Sequence, residues 1–212
     1  MSKTFLEKGQ YLLKESGKSN PNVEIMHQIL KNGCNPNISA ANRTTPLGLI
    51  CEYSQNLAAI SYLIEFGADL NLKCDTFGNS PLHLASRNSN IELMTKLLKH
   101  GADSQSVNNA KGNSLHSIII GIGGKSKLKA IELLIRHQIN IDAQTTDGQT
   151  ALHYALEPDY NISVFQCLLN FGADLKIKNN EGFTPIEVAL KIREFHSGTS
   201  LRNLKIICLK IH

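Results

Sequence analysis

Apolar residues recur along this chain at three-to-four spacing, in short stretches separated by polar turns. Phe5, Leu6, Leu12 and Leu13 fall on one face of a helix over residues 3–16, and Val23, Ile25, Met26, Ile29 and Leu30 on one face of the next. Leu57, Ile60, Leu63 and Ile64 repeat the pattern, as do Ile91, Met94, Leu97 and Leu98, and then Leu128, Ile131, Leu134 and Ile135. The punctuation is clearest over residues 78–103. Ser80 offers an N-cap oxygen and Pro81 fits the first helical position, where a missing N–H costs nothing. Asn88 to Asn90 break that short helix, Asn90 caps a second one, and Gly101 ends it as a residue free to turn left-handed.

The closing glycine appears at Gly33, Gly67, Gly101 and Gly172, at intervals of 34, 34 and 71 residues, which leaves room for one disguised member at Gln138. A fixed period of this size predicts a stacked solenoid in which no unit buries its own apolar face. The segments Ser80-Pro-Leu-His-Leu-Ala85 and Leu97-Leu-Lys-His-Gly-Ala-Asp103 resemble the two signature segments of the ankyrin repeat, and they recur in phase over nearly the whole chain. The resemblance implies an all-α array of helix–turn–helix units with short β-hairpin fingers. As one domain over residues 1–212 it divides into an N-terminal capping unit (1–37), repeats at 38–71, 72–106, 107–143 and 144–177, and a C-terminal capping unit (178–212).

Unit four is irregular. Lys111-Gly-Asn-Ser-Leu-His116 lacks the proline, the link Gly121-Ile-Gly-Gly-Lys-Ser-Lys127 is lengthened, and Gln138 stands where glycine is expected. A non-glycine residue in the left-handed region costs on the order of 1 kcal/mol or more. The weakest junction of the stack, and a mobile loop dividing the array in two, are expected here. The last stretch, Ser200 to Ile211, carries apolar residues over more of its circumference than one buried stripe needs, with Arg202, Lys205 and Lys210 between them. This predicts packing on a further domain, a partner or a second copy.

The composition, 42% hydrophobic and 19% charged, is that of an ordinary globular chain, and a net charge of +4 spread over scattered lysines gives little reason to expect nucleic acid. The five cysteines are odd in number and form no C-x-x-C pair, which disfavours a disulfide framework and a zinc site and suits a reducing compartment. Cys34 and Cys51 fall at small buried positions of the resembled pattern. No apolar run reaches 18 residues, so neither a conventional signal peptide nor a membrane span is expected, and the reading is a cytoplasmic protein.

Among chemical motifs, Ile119-Ile-Gly-Ile-Gly-Gly-Lys-Ser126 suggests a phosphate loop, but the full pattern needs glycine at position 119. His83, His116 and His153 occupy one equivalent position in successive units. Stacked helices lie roughly 8–10 Å apart and a zinc ligand about 2 Å from its metal, so they cannot share an ion and are read as scaffold. Asp69, Asp103 and Asp174 are read as turn formers. Nothing nominates a nucleophile, and neither a metal nor a cofactor is expected.

The resemblance therefore implies a non-catalytic protein-binding module or adaptor, whose free positions are the finger tips and the exposed side of the first helices. The candidate partner-binding residues are Tyr53, Thr76, Phe77, Asn79, Arg87, Asn88, Asp147, Gln149, Glu181 and Phe183, with Phe77 and Arg87 at the centre. Ala41, Asn42, Thr44, Glu52, Thr146, Glu157, Asn180 and Lys191 flank them. Heavy Asn, Ile and Lys usage fits a pathogen or viral factor acting on host proteins. The alternatives are a nucleotide-binding or enzymatic protein using loop 121–127, and the targeting module of a longer chain.

Overall fold

The computed structural model describes residues 5–122, 124–156 and 162–195. The readings placed on Glu157 and on Ser200 to Ile211, including self-association through that last stretch, lie outside the described residues. Among the described residues, eleven α-helices run in chain order: α1 (Phe5–Ser16), α2 (Val23–Lys31), α3 (Pro46–Leu49), α4 (Leu57–Glu65), α5 (Pro81–Arg87), α6 (Ile91–Lys99), α7 (Ser114–Ile120), α8 (Lys127–Arg136), α9 (Ala151–Ala155), α10 (Ile162–Asn170) and α11 (Pro185–Phe195). A π-turn over Ile50–Ser54 prolongs α3, and a 3₁₀ turn over Gly124–Ser126 precedes α8.

The helices form antiparallel pairs stacked in two rows. The odd-numbered first helices pack on one another (α1 on α3, α3 on α5, α5 on α7, α7 on α9, α9 on α11), and among the even-numbered second helices α2 packs on α4, α6 on α8 and α8 on α10. Period and polarity explain why. Each second helix buries one stripe: Met26 and Leu30 in α2, Ala59, Ile60 and Leu63 in α4, Leu93, Met94, Leu97 and Leu98 in α6, Ala130, Ile131 and Leu134 in α8, Val164, Phe165 and Leu168 in α10. The stripes join into one continuous core. Leu128, expected on the buried face of α8, is instead exposed: it lies in the first turn, off the stripe defined by Ala130, Ile131 and Leu134.

The cap predicted at Asn90 is present, and Asn22 and Asn56 start their helices in the same way. The side chains of Asn22, Asn56 and Asn90 accept from the backbone N–H groups of Ile25, Ala59 and Leu93 at 3.0 Å each. At the other end Gly101 takes φ +97°, and Gln138 adopts the same left-handed turn at φ +59°. The sequence therefore located the one non-glycine closure correctly. Asp69, Asp103 and Asp174 form the turns expected of them, each carboxylate accepting at 2.8 Å from the N–H two residues on.

The fingers differ from expectation. Among the described residues there is no β-strand, and the hairpin pairing is not shown. Each connection is a tight turn closed by two backbone bonds, such as Asn108 N–H to Gly112 C=O and Lys111 N–H to Asn108 C=O, both at 2.9 Å, and Thr145 N–H to Gln149 C=O and Gly148 N–H to Thr145 C=O, both at 2.9 Å. Successive tips are joined by backbone bonds, Asn109 N–H to Phe77 C=O (3.0 Å), Thr146 N–H to Ala110 C=O (2.8 Å) and Asn180 N–H to Asp147 C=O (3.1 Å), and the side chains of Asn109 and Asn180 add bonds to Thr76 C=O and Thr146 C=O. The last residue of every tip has positive φ, and two of the five are not glycine: Arg43 at +64° and Lys111 at +58°.

The lengthened link of unit four, expected to be mobile, is tied at both ends. Ile122 N–H donates to Arg87 C=O at 3.1 Å, and Lys127 Nζ donates to Ile119 C=O at 2.8 Å. Gly121 comes so close to α5 that a Cβ there would stand 2.0 Å from the Arg87 carbonyl oxygen.

Candidate functional site

The repeated histidines are fully engaged in the scaffold. Ser80 N–H donates to His83 Nδ1 at 3.3 Å, so that nitrogen is the acceptor, the Ser80 hydroxyl 2.7 Å away donates to it as well, and Nε2–H donates to Gly112 C=O of the next finger at 3.1 Å. His153 repeats this with Thr150 and Phe183 C=O. His116 keeps only the backbone half of it, Asn113 N–H donating to Nδ1 at 3.2 Å and Nε2–H to Gln149 C=O at 3.3 Å, while the side-chain atom 2.8 Å from Nδ1 is the acceptor Oδ1 of Asn113. Burial pushes His83 and His116 down to about 4 and lowers His153, so all three are neutral clamps between units near pH 7. Burial also raises the thiols of Cys34, Cys51 and Cys74, which leaves them poor nucleophiles. Among the described residues no group of His, Cys, Asp or Glu could hold a metal ion, and no helix is long and apolar enough to cross a membrane.

The phosphate-loop motif lacks its usual setting: such a loop follows a strand, whereas Ile119 and Ile120 are the last turn of α7.

One groove of about 410 Å³ lies where the finger tips face α5 and α7. It is lined by the buried His83 with Leu84 and Arg87 of α5, by Ser117 and Ile120 of α7, and by the finger residues Thr76, Phe77, Asn79, Asn108, Asn109 and Ala110. Four of the ten sequence candidates, Thr76, Phe77, Asn79 and Arg87, are thus brought together in one concavity. Phe77 is 70% exposed and Ile120 63%, so these apolar residues stand open to solvent.

The other candidates fall elsewhere or serve the scaffold. Asn88 Nδ2 donates to the carbonyls of Cys51 and Glu52 at 3.3 Å each, fastening α5 to the turn before it. Asn79 both lines the groove and braces it: its Nδ2 donates to Asp75 at 2.7 Å, and its Oδ1 accepts from Asn108 at 3.0 Å. Tyr53 is exposed on the Ile50–Ser54 turn, one unit away. Asp147 is exposed on its tip, while the buried Oε1 of Gln149 finds no partner. Glu181 pairs with Lys191 at 3.2 Å, and the same ammonium lies 4.3 Å from the centre of the Phe183 ring, so these two candidates form a separate cluster on the last finger.

Sequence reasoning missed Asn109, Ala110, Ile120 and Leu84. Asn109 and Ala110 are the tip residues one repeat after Thr76 and Phe77, 33 positions on, so the period itself was the signal. Ile120 gave none, because a helical apolar residue reads as core.

The family profile for ankyrin repeats, in three copies, matches residues 13–108 and 118–196. Over 147 residues the chain is 34% identical to the nuclear factor NF-kappa-B p105 subunit of Gallus gallus, covering 68% of this chain and 14% of that protein. It is 33% identical over 134 residues to the palmitoyltransferase AKR1 of Lachancea kluyveri, covering 63% and 18%. It is 25% identical over 225 residues to the putative ankyrin repeat protein FPV232 of Fowlpox virus, covering 90% and 45%. The chain spans less than half the length of each of these relatives.

Proposed function

Because the chain belongs to the ankyrin-repeat family, whose arrays generally mediate protein–protein interaction, we propose that it is a non-catalytic adaptor that binds a partner protein through the groove between its finger tips and first helices. Phe77 and Arg87 are the central anchors; Thr76 and Asn79 shape the groove. Tyr53, Asp147, Gln149, Glu181 and Phe183 extend the contact along the neighbouring units. The protein acts in the cytoplasm, and the fowlpox virus relatives support a pathogen or viral factor directed at host proteins. Residues 200–212 supply a second contact, to another domain or another copy.

The observation that carries this reading is the division of labour in unit three. His83, Ser80 and Asn88 are used up inside the scaffold, whereas Phe77 projects 70% exposed beside a concavity that the fold does not fill. Large apolar residues standing open on a rigid concave surface are anchors in waiting.

A photoreactive amino acid at Thr76, compared with one at Glu65 on the second-helix side, tests the reading in lysate of the host cell. Adducts should form from position 76 and not from 65. The Phe77→Ala, Arg87→Ala double variant should lose them while melting as the wild type does, each truncation costing about 2 kcal/mol or more of binding energy. Adducts that form equally from both positions, or survive in the double variant, would move the site elsewhere.

A further inference from the structure

The groove has an asymmetric chemistry that narrows what fits it, an argument that rests on the protein-binding reading above. Much of its polar lining is already committed. Asn109 Nδ2 donates to Thr76 C=O at 3.1 Å, Asn108 Nδ2 to Asn79 Oδ1 at 3.0 Å, and His83 is bonded through both ring nitrogens. Besides the hydroxyls of Thr76 and Ser117, what the groove offers a ligand is the exposed apolar surface of Phe77 and Ile120 and one charge. Among the described residues, Arg87 is the only charged side chain lining the groove. Its nearest counter-ion, Glu52, is 3.8 Å away through a single nitrogen, and the guanidinium is 55% exposed. Most of its donor fork is therefore open to an incoming oxyanion.

The start of the unit-four insertion adds a second exposed isoleucine. Ile122, 85% exposed, stands two residues after Ile120, and its N–H donates to the Arg87 carbonyl at 3.1 Å, so its backbone is tied to the residue that carries the cation.

We propose that the groove takes a peptide segment of a partner protein that carries a large apolar side chain next to a carboxylate. The apolar group enters between Phe77 and Ile120, and the carboxylate pairs with Arg87. A singly charged carboxylate fits better than a phosphate, because Glu52 stands close to the same guanidinium and opposes a dianion.

Selection of a phage-displayed random dodecapeptide library on the full chain provides the probe, followed by affinities of synthetic winners. The expected winners hold Asp or Glu within four residues of Phe, Leu, Ile, Trp or Met. Their affinity should fall about tenfold or more on Arg87→Gln and on Phe77→Ala. Changing the peptide's carboxylate to the amide should weaken binding to the wild type but not to Arg87→Gln. Winners that need Phe77 yet lack a carboxylate, or ignore Arg87→Gln, overturn the charge assignment and leave the binding surface standing. Winners indifferent to both substitutions overturn the surface as well. A library that yields no binder refutes a segment-binding groove.

Discussion

Ser114 shows how a single residue records the irregularity of unit four. It occupies the first position of α7, where α3, α5 and α11 have proline, and its buried hydroxyl finds no partner. Asn113 before it already has φ −95° and ψ −177°, the extended conformation that a following proline demands. Ser114→Pro should raise stability by about 1–2 kcal/mol, through a stiffer unfolded chain and the removal of an unsatisfied hydroxyl. Denaturant melts would read this as a higher midpoint at unchanged slope. No shift would mean that the hydroxyl is satisfied after all. Asn113 adds to the irregularity: its Oδ1 accepts from Leu115 N–H and yet faces the accepting Nδ1 of His116 at 2.8 Å, where Ser80 and Thr150 supply a hydroxyl proton.

At the scale of elements, the units are joined by side chains that reach across to the next repeat. Asn37 binds Gly67 C=O at 3.0 Å and Asp69 N–H at 2.7 Å, and Asn71 makes the same clasp to Gly101 and Asp103. The histidine clamps do likewise on the finger side, and they titrate. In the unfolded chain a histidine takes its proton near 6.5, but His83 and His116 do so only at about 4 in the folded protein. Between those values the unfolded state binds more protons, so stability is full above pH 6.5 and falls as the pH drops towards 4. The loss is on the order of 3 kcal/mol for each of the two. Thermal melts over this range should show the decline, with a shallower slope in His83→Gln. A flat profile would place the rings in contact with water. The unit-four link can be tested through its closest approach: Gly121→Ala sets a methyl against the Arg87 carbonyl, so it should cost about 1–3 kcal/mol and free the Ile122 amide to exchange. If that amide exchanges quickly in the wild type, the link is a hinge as the sequence first suggested.

For the whole molecule, stability is a sum of units and the contacts between neighbours. Leu98 sits almost fully buried in the joint core. Leu98→Ala should cost about 2–5 kcal/mol, and hydrogen exchange should rise first in α5 to α8 before α2 or α10 responds. Uniform loss of protection along the array would mean that it melts as one cooperative body. The groove lies at this same centre, with Ile120 on unit four and its anchors on unit three, so a change that separates α5 from α7 should abolish binding before it unfolds either end.

The helices, their caps, the closing turns including Gln138, and the burial of His83, His116 and His153 were all legible in the chain, because each depends on residues within four positions of one another or on a repeat of fixed length. The same register put Phe77 and Arg87 on one surface, since a finger tip and the first helix that follows it share a side of every unit. Tertiary structure alone decided the rest. It made Asn88 a clamp to Cys51 and Glu52, partners 36 and 37 residues back, where local pattern gives no information. It left the fingers as tight turns joined tip to tip. It also turned Ile120 and Ile122 outwards: hydrophobicity states that a side chain prefers to leave water, but only the packed neighbours decide whether anything stands opposite to cover it.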